Sequence, residues 1–222
     1  MIPVITIDGP SGTGKGTLAA LVAERLGWHT LDSGALYRVL GLAAARRGLS
    51  CDDPVSMAAL AATLPVSFAA GQVILDGEDV SEAIRTEEAG MAASRVAVHP
   101  PVRAALLGWQ RGMARPPGLV ADGRDMGTVV FPEAPLKIFL DASPDARAER
   151  RYKQLKEKGL DANLPNLVAD IRERDARDRT RSVAPLIAAA DAVLVDSTAM
   201  SIVEVLDRVL EEVRRVYPEL VL

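Results

Sequence analysis

Between an apolar run and the first helical periodicity of the chain lies Gly9-Pro10-Ser11-Gly12-Thr13-Gly14-Lys15-Gly16-Thr17. The chemistry these residue types suit is the binding of a polyphosphate. Glycines let the backbone adopt dihedrals that are costly for other residues, so successive N–H groups can turn inward around an anion. A helix N-terminus behind them adds its partial positive charge. Lys15 would then reach the β- and γ-phosphates as a point charge. The strict form of this loop places Ser or Thr directly after the lysine; here Gly16 intervenes, so Thr17 is a weaker candidate for a metal ligand than the loop is for a phosphate cradle. The alternative is an ordinary Gly-rich strand-to-helix turn, and the agreement of strand, spacing, lysine and helix weighs against it.

Two further segments carry more charge than solvation requires. One is Ala121-Asp122-Gly123-Arg124-Asp125-Met126-Gly127, directly after an apolar run; the other is the Arg-Asp-rich stretch from Arg172 to Arg181. On a helix Arg174, Arg177, Asp178 and Arg181 follow i, i+3, i+4, i+7 and share one face. That face reads either as an exposed surface laced with ion pairs or as a wall facing a phosphate cluster, where guanidinium forks stabilise spread-out negative charge. The phosphate loop favours the second reading. A third segment, Asp32-Ser33-Gly34-Ala35-Leu36-Tyr37-Arg38, leads into a helix, with Ser33 at least a cap and Arg38 one turn on.

The elements that must position these groups can be read from periodicity. Ile2 to Ile7, Trp28 to Leu31, Gly118 to Asp122, Leu136 to Asp141 and Ala192 to Asp196 read as strands, and Leu18, Leu21, Val22 and Leu26 recur at helical spacing until Gly27. Gly34 to Arg47 and Pro100 to Arg115 read as helices. Ser143-Pro144 opens another as cap and first-turn proline, and Ser201 with Glu204 forms a capping-box pattern for the last. Such alternation predicts an open α/β sheet covered on both faces, with ligands beyond the carboxyl ends of its strands. Between Pro65 and about Ser94 the rhythm breaks: Val66 to Phe68, Gln72 to Leu75 and Glu78 to Val80 read as short strands, with a hairpin-type turn at Asp76-Gly77. This β-rich insertion is either decorative or a lobe that closes over a second substrate.

Composition sets bounds. A chain of 222 residues, 49% hydrophobic and 25% charged, suits one substantial globular core with a small appended lobe. A net charge of −4 and 4% aromatic residues argue against nucleic acid or an anionic membrane surface as partner. No apolar run reaches the roughly 20 residues of a membrane span, and no secretory leader is evident, so a cytoplasmic location is expected. The lone Cys51, and His29, His99, Trp28 and Trp109, read as packing residues.

The four motifs in order resemble those of bacterial cytidylate kinases, a nucleoside monophosphate kinase family, over nearly the whole chain from Ile2 to about Val205. That resemblance implies a P-loop fold with a five-stranded parallel sheet. It implies a single domain over 1–222: core 1–60 and 96–222, a monophosphate-binding insertion at about 61–95, and a lid at about 147–165. The implied activity is transfer of the γ-phosphate of ATP to CMP or dCMP with Mg2+, by a monomer without nucleic-acid or membrane partners. Gly9 to Thr17, Lys15 included, would hold ATP; the Lys-Gly-Thr ending is the family's usual form. Ser33, Tyr37, Arg38 and Arg124 resemble positions around the CMP phosphate, and Ser94, Arg103 and Asp125 those around the cytosine. Arg174, Asp178 and Arg181 resemble groups on the sugar, base or phosphates. Lys15, Arg124, Arg174 and Arg181 would be the catalytic charges, and Thr17 would touch the metal directly or through water. Arg147, Arg150 and Arg151, in a lid segment to Lys158, would reach over the ATP. The weighed alternatives are a kinase for AMP, UMP or a hydroxyl acid, a GTP switch, which the lack of an Asn-Lys-x-Asp motif disfavours, and a non-catalytic nucleotide module.

Overall fold

Strands buried on both faces should be continuously apolar, whereas edge strands alternate. The computed structural model, which describes residues 2–69, 71–157 and 159–220, shows this contrast. Met1, Ala70, Lys158, Val221 and Leu222, which fall within the expected domain, insertion and lid spans, lie outside the described residues. The chain packs as two compact units, Met1–Leu31 with Met113–Leu222, and Asp32–Gly112.

The first unit carries a five-stranded parallel sheet with helices on both faces, as the alternation predicted. Strand β1 (Val4–Asp8) runs into α1 (Lys15–Leu26), followed by β2 (His29–Asp32). The second unit then intervenes with α2 (Ser33–Arg46), α3 (Pro54–Ala62), β3 (Val66–Ala69), β4 (Gln72–Leu75), β5 (Glu78–Asp79), α4 (Glu87–Val96) and α5 (Pro100–Gly112). The chain resumes the sheet with β6 (Leu119–Gly123) and β7 (Leu136–Asp141), continues through α6 (Pro144–Glu157) and α7 (Leu164–Arg179), and ends with β8 (Val193–Asp196) and α8 (Ile202–Val216). The sheet order is β2-β6-β1-β7-β8. Every residue of β1 and β6 is buried, while β8 alternates at the edge with Leu194 exposed. Ile5, Ile7, Val120, Ile138 and Leu140 of the sheet pack with Leu18 and Val22 of α1 and with Val205, Val209 and Val213 of α8. Trp28 meets the Tyr217 ring edge-on at 5.5 Å, and the Tyr217 hydroxyl donates to the Val4 carbonyl.

The second unit has its own core of Leu36, Val39, Leu40, Met57, Leu75, Val80, Ile84, Val96, Val102 and Leu106. Its three short strands pair antiparallel. The turn at Asp76-Gly77 has φ of 52° and 83°, the left-handed pair that a two-residue hairpin requires. The residues expected for the insertion, 61–95, lie inside this unit. Trp109 packs against Phe68, and His99 bonds the Cys51 carbonyl at 2.8 Å, which accounts for both as packing residues.

Candidate functional site

β1 pairs in parallel with β6, and Asp8 lies opposite Gly123. The loop beginning at Gly9 and the segment beginning at Arg124 therefore leave the same end of two adjacent strands, where ligands of open α/β sheets bind. Gly9 has φ 155°, and a Cβ there would collide with the Leu140 carbonyl oxygen on the next strand. Gly14 caps α1 in the left-handed region, φ 91°, which places Lys15 as the first helical residue. A larger residue at Gly14 would strain the turn that hands the loop to the helix. Lys15 is buried, and its Nζ donates to the Pro10 carbonyl at 2.9 Å; the Thr13 hydroxyl donates to the same oxygen. Gly16 and Thr17 are exposed in the first turn of α1.

The arginines sort into two groups. Asp178, 2% exposed, accepts from Arg124 Nε at 2.9 Å and from Arg181 Nη2 at 2.6 Å. Burial alone would raise its pKa, but the charges of Arg124, Arg181 and Arg174 outweigh that effect and hold it at about 2. Arg124, Arg174 and Arg181 thus converge on one carboxylate. Arg177, by contrast, pairs with the exposed Glu173. The shared helical face needs one correction: α7 ends at Arg179, so Arg181 reaches Asp178 from beyond the helix terminus.

Arg147 and Arg150 do not reach outward over a nucleotide. The Arg147 side chain is buried; Nε donates to the Ala142 carbonyl and Nη1 to the Ser11 carbonyl, each at 2.9 Å, and the fork closes on both carboxylate oxygens of Asp175. Arg150 donates to the Thr13 carbonyl at 3.4 Å and to Ser197. Both hold the phosphate loop by its carbonyls. A lid reading overlooked that a loop turning its N–H groups inward turns carbonyls outward, and these need donors.

Sequence reasoning also missed Asp8. Its carboxylate accepts from the N–H groups of Met126 and Gly127, each at 2.8 Å, bridging the start of the phosphate loop to the turn after Asp125. Burial pushes its pKa up to about 6, against the lowering effect of those two N–H groups and of Lys15; Asp125 adds to the rise. An acid at a strand's carboxyl end was the available signal, as it was for the buried Asp122 near the end of β6.

The remaining candidates lie in the second unit. Ser33 is buried and donates to Gln110 Oε1 at 2.9 Å; the cap of α2 is Asp32, whose side chain accepts the Ala35 N–H, rather than Ser33. Arg38 donates to the Ile84 carbonyl at 2.9 Å. The Arg103 guanidinium donates to the Ala97 carbonyl and lies 5.7 Å from the centre of the Tyr37 ring, and Ser94 is buried in α4. Asp125, on the first unit, is 3% exposed.

A divalent cation suits the donors beside the loop. The Asp122 carboxylate is next to Gly16, 3.7 Å from where a Cβ there would stand, and the Thr17 hydroxyl is one residue on. Few hard oxygen ligands, completed by waters and substrate phosphates, fit Mg2+. Among the described residues no group of three or more His, Cys, Asp or Glu forms a protein-only metal cage, and none of their helices is long and apolar enough to cross a membrane.

The family model for cytidylate kinase matches residues 5–215. A cytidylate kinase of Aeromonas salmonicida is 61% identical over 95% of this chain and 93% of its own length. That of Aeromonas hydrophila is 62% identical over the same shares, and that of Methylococcus capsulatus 60% over 92% of this chain and 94% of its own.

Proposed function

This chain belongs to the cytidylate kinase family, and we propose that it transfers the γ-phosphate of ATP to CMP and dCMP by direct in-line displacement. The observation that carries the reading is the convergence of Arg124, Arg174 and Arg181 on Asp178, at the strand ends from which the phosphate loop also departs. The N–H groups of Gly9 to Thr17 hold the ATP phosphates, and the Lys15 ammonium exchanges the Pro10 carbonyl for phosphate oxygens. Thr17 and Asp122, with waters, would hold Mg2+, which would supply charge neutralisation when bound. Asp178 keeps its three arginines oriented and close, and they stabilise the equatorial oxygens of the transferred group. No general base is required, because positioning and charge neutralisation carry most of the catalysis in this reaction class.

Ser33, Tyr37 and Arg38 bind the CMP phosphate with Arg124, while Ser94, Arg103 and Asp125 read the cytosine. A carboxylate accepts from the exocyclic amine of cytosine; uracil presents a carbonyl there, acceptor against acceptor. The enzyme works as a cytoplasmic monomer on small nucleotides, with the insertion binding the monophosphate and the part of the lid segment beyond Arg150 excluding water.

A steady-state assay of ATP with CMP, dCMP, UMP and AMP tests the substrate, with CMP and dCMP expected to lead; UMP turnover rivalling CMP would remove the assignment. Lys15→Ala tests the mechanism. It should keep the fold and lower kcat by at least about 100-fold, and an undiminished rate would discard the role given to the loop.

A further inference from the structure

A loop that binds an anion through its N–H groups leaves its carbonyls facing the protein, and something must hold them there. Here the donors are two arginines one turn apart on α6. Arg147 supplies the Ser11 carbonyl and Arg150 the Thr13 carbonyl. The fit is close on the loop side: Gly12 has φ +80°, and a Cβ there would stand 3.3 Å from the Arg147 Cβ. On its other side Arg147 grips Asp175, which sits on α7 between Arg174 and Asp178. Its Nε is fastened to the carbonyl of Ala142, the residue directly after β7. At 1% exposure the guanidinium is shielded from solvent, so its bonds are oriented and not exchanged with water.

The geometry points to Arg147 and Arg150 as positioning residues that hold the phosphate loop in its anion-binding shape from behind. It also points to the Arg147–Asp175 pair as the link between that shape and the placement of the Arg174–Asp178 segment. The inference rests on the kinase reading for its kinetic consequences alone. The brace removes freedom that ATP binding would otherwise have to remove, and it registers the donor cradle against the guanidinium cluster. An error of about 1 Å in that register is enough for a roughly 100-fold loss of rate.

Two variants test the inference. Arg150→Met removes the half-buried donor to Thr13 and is expected to weaken binding of Mg-ATP and of inorganic tripolyphosphate about tenfold by calorimetry, with the KM for CMP unchanged. The double variant Arg147→Met with Asp175→Leu replaces the buried ion pair by apolar side chains of similar size, a change that folds commonly tolerate. It is expected to lower kcat/KM for ATP by roughly 100-fold and to raise the KM for CMP, because α7 is released from the loop. A brace that only supports stability predicts something else: rates and both KM values within about twofold of wild type for the folded fraction. That result, or unchanged tripolyphosphate affinity in Arg150→Met, overturns the inference. If the double variant does not fold, the tripolyphosphate titration of Arg150→Met decides alone. A wild-type protein that binds tripolyphosphate but does not phosphorylate CMP would refute the substrate reading and leave the brace to be judged on the binding data.

Discussion

The pKa values of two buried carboxylates in the first unit are shifted in opposite directions. Asp178 faces three guanidinium groups and is held at about 2, below the usual carboxylate range. Its contribution to stability, roughly 2 kcal/mol, is present above pH 4 and is lost as pH falls towards 2. Asp8 has two N–H donors and the Lys15 charge against the loss of solvent and the nearby Asp125, and burial wins, at about 6. The folded state therefore takes up its proton first. The associated stability, roughly 3 kcal/mol, is present below pH 4 and lost as pH rises through 6. Urea unfolding across pH 2 to 7 should separate the two. Asp8→Asn is expected to flatten the decline between pH 4 and 6, and Asp178→Asn the loss between pH 4 and 2. At pH 7 Asp178→Asn should also cost about 3 kcal/mol, since it leaves buried arginines facing a neutral amide. A wild-type profile retained in either variant would refute the corresponding assignment.

At the scale of elements, the segments that came out of the sequence correctly are those whose ends are set locally. Leu136 to Asp141 is a strand with the bounds that its apolar run predicted. Ser201 caps α8 through the Glu204 N–H, while the Glu204 carboxylate returns to the Ser201 N–H at 2.7 Å. Replacing Ser201 by Ala should cost about 1 kcal/mol by denaturant unfolding and leave the kinetics of CMP phosphorylation unchanged; altered KM values would show that α8 does more than cover the sheet. Helix α2 shows where local reading slips. Asp32 and Ser33 are both good caps, and Asp32 takes the position because the Ser33 hydroxyl is engaged by Gln110, 77 positions away. The expected shared face of Arg174 and Arg181 slips for a similar reason. The i, i+7 spacing of Arg174 and Arg181 is helical, yet both arginines are drawn to Asp178, and the helix stops two residues before Arg181.

At the scale of the whole molecule, the two units have separate cores, and the residues proposed for CMP are divided between them. If both sets bind one nucleotide, CMP should slow amide exchange in α2 and α4 of one unit and in α7 of the other, and at 100 times its Kd should add about 2.7 kcal/mol to stability. Slowing confined to the first unit would remove Ser33, Arg38, Ser94 and Arg103 from the site. The phosphate loop, the alternation of strand and helix and the small antiparallel insertion were legible in the sequence because each depends on neighbours a few residues apart. Glycine dihedrals, apolar period and turn chemistry are local properties. The roles of Arg147, Arg150 and Asp8 were not legible. Arg147 meets Ser11 across 136 positions and Asp8 meets Gly127 across 119, and a charged side chain in a sequence carries no mark of whether it will face water or be buried against a carbonyl. The sequence by itself determined that a polyphosphate cradle and a supply of guanidinium groups exist. Only the tertiary structure decided which arginines gather around Asp178 and which brace the loop, because that choice follows from burial and from which carbonyls packing leaves in need of a donor.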